Sequence, residues 1–264
     1  SRTTRIRTHK PKKELGRVLV EPKKTDGKID EIKIIPLGGL GEVGKNMTAI
    51  ECGNEILIID AGLRFPEEDM PGIDFIIPNV SYLEYRKDRI VGLIITHGHY
   101  DHIGALPYLR EKIGDPEIYT GALTRGMLIK RQEDFSHQPA LKINLVSDGD
   151  EVKIGENFNV KFFHVNHSIP DDFGVAITTI IGTVVHTSYF KFDATPLYDK
   201  PANYEQIKHI GDKGVMVLMS ESTGAELDGH SLSEKDIQEN LDLIFREAKG
   251  MIVAGTFASM INRI

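Results

Sequence analysis

The sequence predicts an α/β domain, and three observations carry that prediction. Short apolar runs rich in β-branched residues recur from Ile32 onward. Amphipathic helical patterns stand between and after them, and Gly/Asp/Asn turn signals punctuate the chain. With 264 residues, 40% of them hydrophobic, the chain has enough apolar material for a sizeable core.

Taken in order, strands are expected at 32–37, 47–52, 56–60 and 91–96, where Val, Ile and Thr favour a pleated surface. Gly53-Asn54-Glu55 is all that separates the second run from the third and reads as a tight hairpin loop. A helix is expected over 102–112, with Pro107 in a first turn or at a kink, and another over 123–133. Further strands follow at 159–165, 175–181 and 184–187, with turns at Asp148-Gly149-Asp150 and Ile154-Gly155-Glu156. The clearest helix is 231–248, capped by Ser231 or Ser233 and striped by Ile237, Leu241, Ile244 and Phe245. A last strand-like run covers 251–254.

Composition removes several function classes. A single cysteine, Cys52, excludes an internal disulfide framework and a zinc site built from several thiolates. No apolar run approaches the roughly 18 residues of a membrane span, and the N-terminus has no apolar secretory stretch, so a cytoplasmic setting is the expectation. Charge is divided: residues 1–24 carry nine Lys/Arg against two Glu, so a net −7 resolves into a +7 arm and a −14 remainder. The arm, taken as residues 1–30, is expected to be mobile, and reads either as a solvated tail or as a phosphate-binding segment.

Three of the ten histidines fall within six residues, in His97-Gly98-His99-Tyr100-Asp101-His102. The cluster follows a strand and precedes a helix, so its ligands would be held by rigid elements with their tips free to converge. His97 and His99 point the same way and can grip one ion; Asp101 and His102 turn to the other side and suit a second. Imidazole with carboxylate favours zinc, or manganese or iron, over calcium or magnesium. His167, at the end of another strand, offers a third imidazole, while His164 within that strand is expected to pack. His9, His137, His186, His209 and His230 read as surface or packing residues. Two ions about 3.5–4 Å apart can clamp a phosphoryl group and activate water. Asp101 would then hold the second ion and orient the attacking water. Asp60 ends a buried strand and reads as a turn cap or as a carboxylate supporting a metal-bound histidine, the latter favoured by the cluster.

These residues resemble the HxHxDH signature of the metallo-β-lactamase superfamily, and their neighbours narrow the resemblance to the ribonuclease J family. The stretches Pro36-Leu37-Gly38-Gly39-Leu40-Gly41-Glu42-Val43-Gly44-Lys45-Asn46, Ile59-Asp60-Ala61-Gly62-Leu63-Arg64-Phe65-Pro66, His102-Ile103-Gly104-Ala105-Leu106-Pro107-Tyr108 and His167-Ser168-Ile169-Pro170-Asp171 are similar to that family in the family's order. Ser220-Glu221-Ser222-Thr223 resembles the first motif of β-CASP nucleases, and Thr256-Phe257-Ala258-Ser259 continues the likeness. The resemblance implies a four-layer αββα sandwich over 31–220, lacking its C-terminal strands, and the start of a β-CASP insert over 221–264. It implies hydrolysis of RNA, 5′-to-3′ exonucleolytic and endonucleolytic, by a homodimer or larger assembly with no membrane partner. It carries over His97, His99 and His167 to one metal, Asp101 and His102 to the other, and Asp60 and Glu221 as supporting carboxylates. Zinc is the implied metal, two ions per site, with manganese or magnesium as alternatives. No substrate-binding residue is assigned.

Three departures qualify it. The family reads His-Thr-Gly-Asp-Phe-Lys, its aspartate bridging both metals; here the stretch is His186-Thr187-Ser188-Tyr189-Phe190-Lys191, so Tyr189 takes the bridging position. Asp193 lies beyond the shared Phe-Lys step and is no obvious substitute. Tyr100 stands where a glutamate is usual. The remaining insert and the final metal-binding histidine would lie after Ile264, which reads as a truncated chain. One well-held ion and a weak second are therefore expected, with low activity. Alternatives are a small-molecule metallo-hydrolase such as a thioesterase or lactonase, a DNA-directed β-CASP nuclease, or a catalytically silent RNA-binding subunit.

Overall fold

The structure is a computed structural model and describes residues 29–261. The basic arm lies outside the described residues up to position 28. In chain order the first sheet is built from β1 (Ile32–Gly38), β2 (Met47–Cys52), β3 (Glu55–Ile59), β4 (Ile90–Ile94), β5 (Ile118–Thr120) and β6 (Ile143–Leu145), which pair in that sequence. Its helices are α1 (Ser81–Glu84), α2 (Tyr100–Ile103), α3 (Leu106–Leu109) and α4 (Ala122–Gln132). The second sheet comprises β7 (Glu151–Ile154), β8 (Phe158–Val165), β9 (Asp172–Thr178), β10 (Thr183–His186) and β11 (Val217–Met219), with α5 (Tyr204–Asp212) between the last two and α6 (Glu234–Glu247) after them.

Side-chain alternation along these strands builds three separate apolar interfaces, and three interfaces make four layers. Ile56, Ile58, Leu93 and Ile95 point outward from the first sheet onto Ile103, Leu106, Leu109 and Leu128 of the helices. Their neighbours Leu57, Ile59 and Ile94 point inward, meeting Phe158, Val160, Phe162 and Val175 of the second sheet. Phe163, Val165 and Val185 face the far side and pack against Ile207 and Ile210 of α5. The result is the αββα sandwich that the resemblance implies. Among the described residues no helix is long and apolar enough to cross a membrane.

Most expected elements form, with informative differences. The β2–β3 hairpin pairs Cys52 with Glu55, so its loop is only Gly53-Asn54, and Gly53 takes φ +58° as such a turn requires. The helix expected over 102–112 is two short helices, because Pro107 starts a new one at the first turn of α3 and the first begins earlier, at Tyr100. Ser233, not Ser231, caps α6, through a reciprocal capping box with Asp236. The α6 stripe forms but is largely uncovered: Ile237 is half-buried, and Leu241, Ile244 and Phe245 are exposed. Residues 251–254 form no strand; their apolar side chains have no ladder among the described residues. Strands β5, β6, β7 and β11 and helices α1 and α5 were not expected, being too short or too polar to show a clear period.

Candidate metal centre

The predicted site residues come from loops and the short helix α2 at one end of the two sheets. Asp60 follows β3, Thr96 and His97 follow β4, and His99 immediately precedes α2, which carries Asp101 and His102. From the second sheet, His167 follows β8, Tyr189 follows β10 and Glu221 follows β11. Strands β3 and β4 run parallel, so their carboxyl ends lie side by side, where open α/β sheets present ligand-binding groups. A hydrogen bond from Phe173 N to the Thr96 carbonyl (3.2 Å) ties the two sheets together at this end.

Three imidazoles converge. His97 Nε2 and His167 Nε2 lie 3.1 and 3.2 Å from His99 Nδ1, and one nitrogen from each ring falls within 4.8 Å of the others. A tetrahedral zinc with bonds of about 2.0–2.1 Å separates its nitrogens by about 3.3–3.4 Å, close to the two separations from His99 Nδ1, and three imidazole nitrogens are donors that such an ion takes. Burial pushes the His97 ring well below the usual histidine range, His99 to about 4 and His167 to about 3. At neutral pH these rings are uncharged, the state that a metal ligand needs.

His102 is governed by carboxylates instead. Its Nδ1 is 2.7 Å from Asp60 Oδ2, and its Nε2 is 3.4 Å from Asp101 Oδ2. Burial works against a charge on this ring, but Asp60 and Asp101 override it and raise it to about 10. Burial likewise opposes charge on Asp101, yet the bond to His102 leads a set of contacts that hold its carboxyl below the usual range. Asp60 is itself fixed from behind: its Oδ1 accepts the Thr96 N–H at 2.9 Å, and the Thr96 hydroxyl faces both its oxygens at 3.1 Å. Its φ of +63° is left-handed, a conformation that Asp tolerates better than most residues.

Tyr189 enters the cluster, as its place in the His-Thr-Gly-Asp-Phe-Lys pattern implies, with its ring 4.6 Å from His102. Burial pushes its phenol up to about 12, and Asp101 adds to the rise, so it is a neutral hydroxyl. Ser188 before it has φ +58°, which accounts for a glycine at this step in the family pattern. Glu221 accepts the Thr223 N–H at 2.6 Å and adds its charge to the rise of Tyr189. Asp193 is turned away from the cluster, accepting the backbone N–H groups of Thr195 and Glu234 at 2.9 Å each. His164 packs as expected, 2.8 Å from the Lys200 carbonyl.

Sequence reasoning gave no role to Asn46 or Asp172. The Asn46 side chain lies among Asp101, His102 and Tyr189; its only signal was a polar residue closing a glycine-rich loop. Asp172 is fully buried with its Oδ2 3.2 Å from His97 Nδ1. Burial pushes its carboxyl well above the usual range. The available signal was an aspartate opening an otherwise apolar strand.

The chain is similar to several known proteins. The profile of the Metallo-beta-lactamase superfamily matches residues 40–187, which include all five predicted ligands. Ribonuclease J of Thermus thermophilus is 43% identical over 243 residues, 90% of this chain and 42% of that protein. Ribonuclease J of Helicobacter pylori 26695 is 41% identical over 234 residues, 88% of this chain and 34% of that one. The chain thus spans less than half the length of these relatives. A solved protein of unknown function from Enterococcus faecalis V583 shares the fold, with a TM-score of 0.60 at 16% identity over 81% of this chain and 57% of that one.

Proposed function

The chain belongs to the metallo-β-lactamase superfamily, and from that premise we propose that it carries the metal-binding part of a metal-dependent ribonuclease that hydrolyses RNA phosphodiesters. The observation that carries the metal reading is the convergence of His97, His99 and His167 on one point. The similarity to ribonuclease J sequences supports RNA as the substrate. On this reading the three histidines hold one divalent cation, with zinc the favoured identity. Asp101 and His102 flank a second, weaker position, Asp60 supports His102, and Glu221 adds negative charge nearby. A cation held there supplies Lewis-acid stabilisation to a phosphoryl oxygen. Asp101, ionised and beside the cluster, is placed to accept a hydrogen bond from the attacking water. Residues 31–220 form the catalytic sandwich and 221–264 begin a β-CASP unit. RNA processing in the cytoplasm by a homodimer or larger assembly, in exo- and endonucleolytic modes, belongs to the same reading.

Tyr189 favours a second reading, a catalytically silent RNA-binding subunit, because a neutral phenol stands where the family pattern has a bridging carboxylate. Metal analysis and cleavage of 5′-monophosphorylated RNA separate the two. One equivalent of zinc per chain is expected, with slow cleavage that Tyr189→Asp accelerates. RNA binding without cleavage in both proteins favours the subunit reading, and absence of bound metal overturns the first.

A further inference from the structure

Asp172, the first residue of β9, reaches beneath the histidine cluster from the second sheet. It is fully buried beside the Ser188 side chain and the Phe173 backbone N–H, and neither carboxyl oxygen makes a hydrogen bond of full geometry. A carboxylate in that state is costly to bury unless it has a partner. Its Oδ2 lies 3.2 Å from His97 Nδ1. The opposite nitrogen of the same ring, Nε2, is the one that converges with His99 and His167.

An imidazole that binds a cation through one nitrogen keeps its proton on the other, and whatever accepts that proton fixes the tautomer and the aim of the ring. Thr96 Oγ1 (3.1 Å) and Ser188 Oγ (3.3 Å) also face Nδ1. A hydroxyl can donate as readily as accept, so neither selects a tautomer; a carboxyl oxygen that carries no proton can only accept, and Asp172 Oδ2 faces Nδ1. We infer that Asp172 is the positioning residue for His97, holding the proton on Nδ1 and directing Nε2 toward the cation. The inference rests on the metal reading above. It also gives the centre a paired design. Asp60, from the first sheet, backs His102, while Asp172, from the second sheet, backs His97. The second contact spans the sheets beside the Phe173–Thr96 hydrogen bond, so docking of the two sheets and preparation of the ligand are one event.

The test is zinc affinity of the whole chain by chelator competition, together with the visible spectrum of the cobalt-loaded protein. Both are measured on wild type, Asp172→Ala and Asp172→Asn, with circular dichroism as the check on folding. Asp172→Ala is expected to bind its first zinc about 10- to 100-fold more weakly and to shift the cobalt spectrum. Asp172→Asn retains an accepting oxygen without the charge and is expected to fall between. Affinity within about twofold of wild type with an unchanged cobalt spectrum in Asp172→Ala overturns the inference. If that variant does not fold, Asp172→Asn decides: weaker binding supports the role, and wild-type binding overturns it. A wild-type chain that takes up no zinc overturns the metal reading itself, and this inference with it.

Discussion

The Tyr189 hydroxyl and the Asn46 side-chain amide are hydrogen-bonded to each other beside His102, with Nδ2 2.9 Å and Oδ1 3.2 Å from the phenol oxygen. The same Nδ2 lies 3.2 Å from Asp101 Oδ2, 3.2 Å from His102 Nε2 and 3.1 Å from the Asp101 carbonyl. The carboxylate and the carbonyl can only accept, which fixes the amide with its NH₂ toward them. An uncharged donor therefore stands where a second cation would meet these ligands. Tyr189→Asp is expected to raise the zinc content from one to two equivalents per chain, because it removes the amide's anchor and supplies a carboxylate. Tyr189→Phe is expected to remain at one. A count of one in Tyr189→Asp, by elemental analysis after dialysis, would sink this account of the second position.

His164 and His167 form a matched pair for testing the first position. They lie on one strand and the loop that follows it, but only His167 reaches the cluster. Removing its imidazole leaves two protein nitrogens, so His167→Ala should lower first-zinc affinity by at least about 100-fold. His164 Nε2 instead bonds the Lys200 carbonyl. His164→Ala should leave zinc binding intact while costing about 1–3 kcal/mol of stability, as expected when a buried polar contact is broken. Equal metal affinity in the two variants would refute the assignment of His167.

The metal-free chain should be most stable near neutral pH. Burial lowers His97, His99 and His167, the latter two to about 4 and 3 against an ordinary 6.5. Between 6.5 and those values the unfolded chain binds more protons than the folded one, so stability falls as the pH drops through that window. His102 has the opposite sign. Asp60 and Asp101, overriding burial, raise it to about 10, so its contribution is complete below 6.5 and is lost as the pH climbs toward 10. Melting curves in chelator should therefore decline on both sides of neutrality. A flat profile across the acid limb would contradict the burial of the three rings as neutral bases.

Legibility in the sequence followed the range of the interaction concerned. Strands such as β2 and β3 could be read because their residues, Glu51 and Glu55 apart, are apolar or β-branched, and His97, His99 and His102 could be read because a local spacing brings them together. Asp172 and Asn46 could not be read, since each meets its partner across a long stretch of chain: Asp172 and His97 are joined only when the sheets dock, and Asn46 meets Tyr189 143 residues away. Strand β11, three residues long and half-exposed, exists because β10 offers it a parallel edge. Helix α6 shows the converse: its amphipathic period and serine cap are local and form, the cap at Ser233, but which surface covers the stripe is not written in the period.

Gly62 tests whether the metal centre depends on close backbone packing and not on ligand identity alone. A Cβ built there would overlap the Asp101 carbonyl oxygen, a main-chain atom that no rotamer change can move. The contact is tight because three segments converge on it: Gly62 N donates to the Asn46 carbonyl (2.9 Å), and Asn46 N donates to the Asp101 carbonyl (3.1 Å). Gly62→Ala must push the segment bearing Asp101 and His102 away from Asp60, on which His102 depends. We expect destabilisation of about 3 kcal/mol or more, at the upper end for overpacked interiors, with weakened metal binding. Gly126, within α4, supplies the control, since nothing lies within 4 Å of its added Cβ. Gly126→Ala should stabilise the chain by about 0.5–1 kcal/mol through helix propensity and leave the metal centre untouched. Denaturant melts of the two variants give opposite signs if the backbone contact at Gly62 is real, and a neutral Gly62→Ala rules it out.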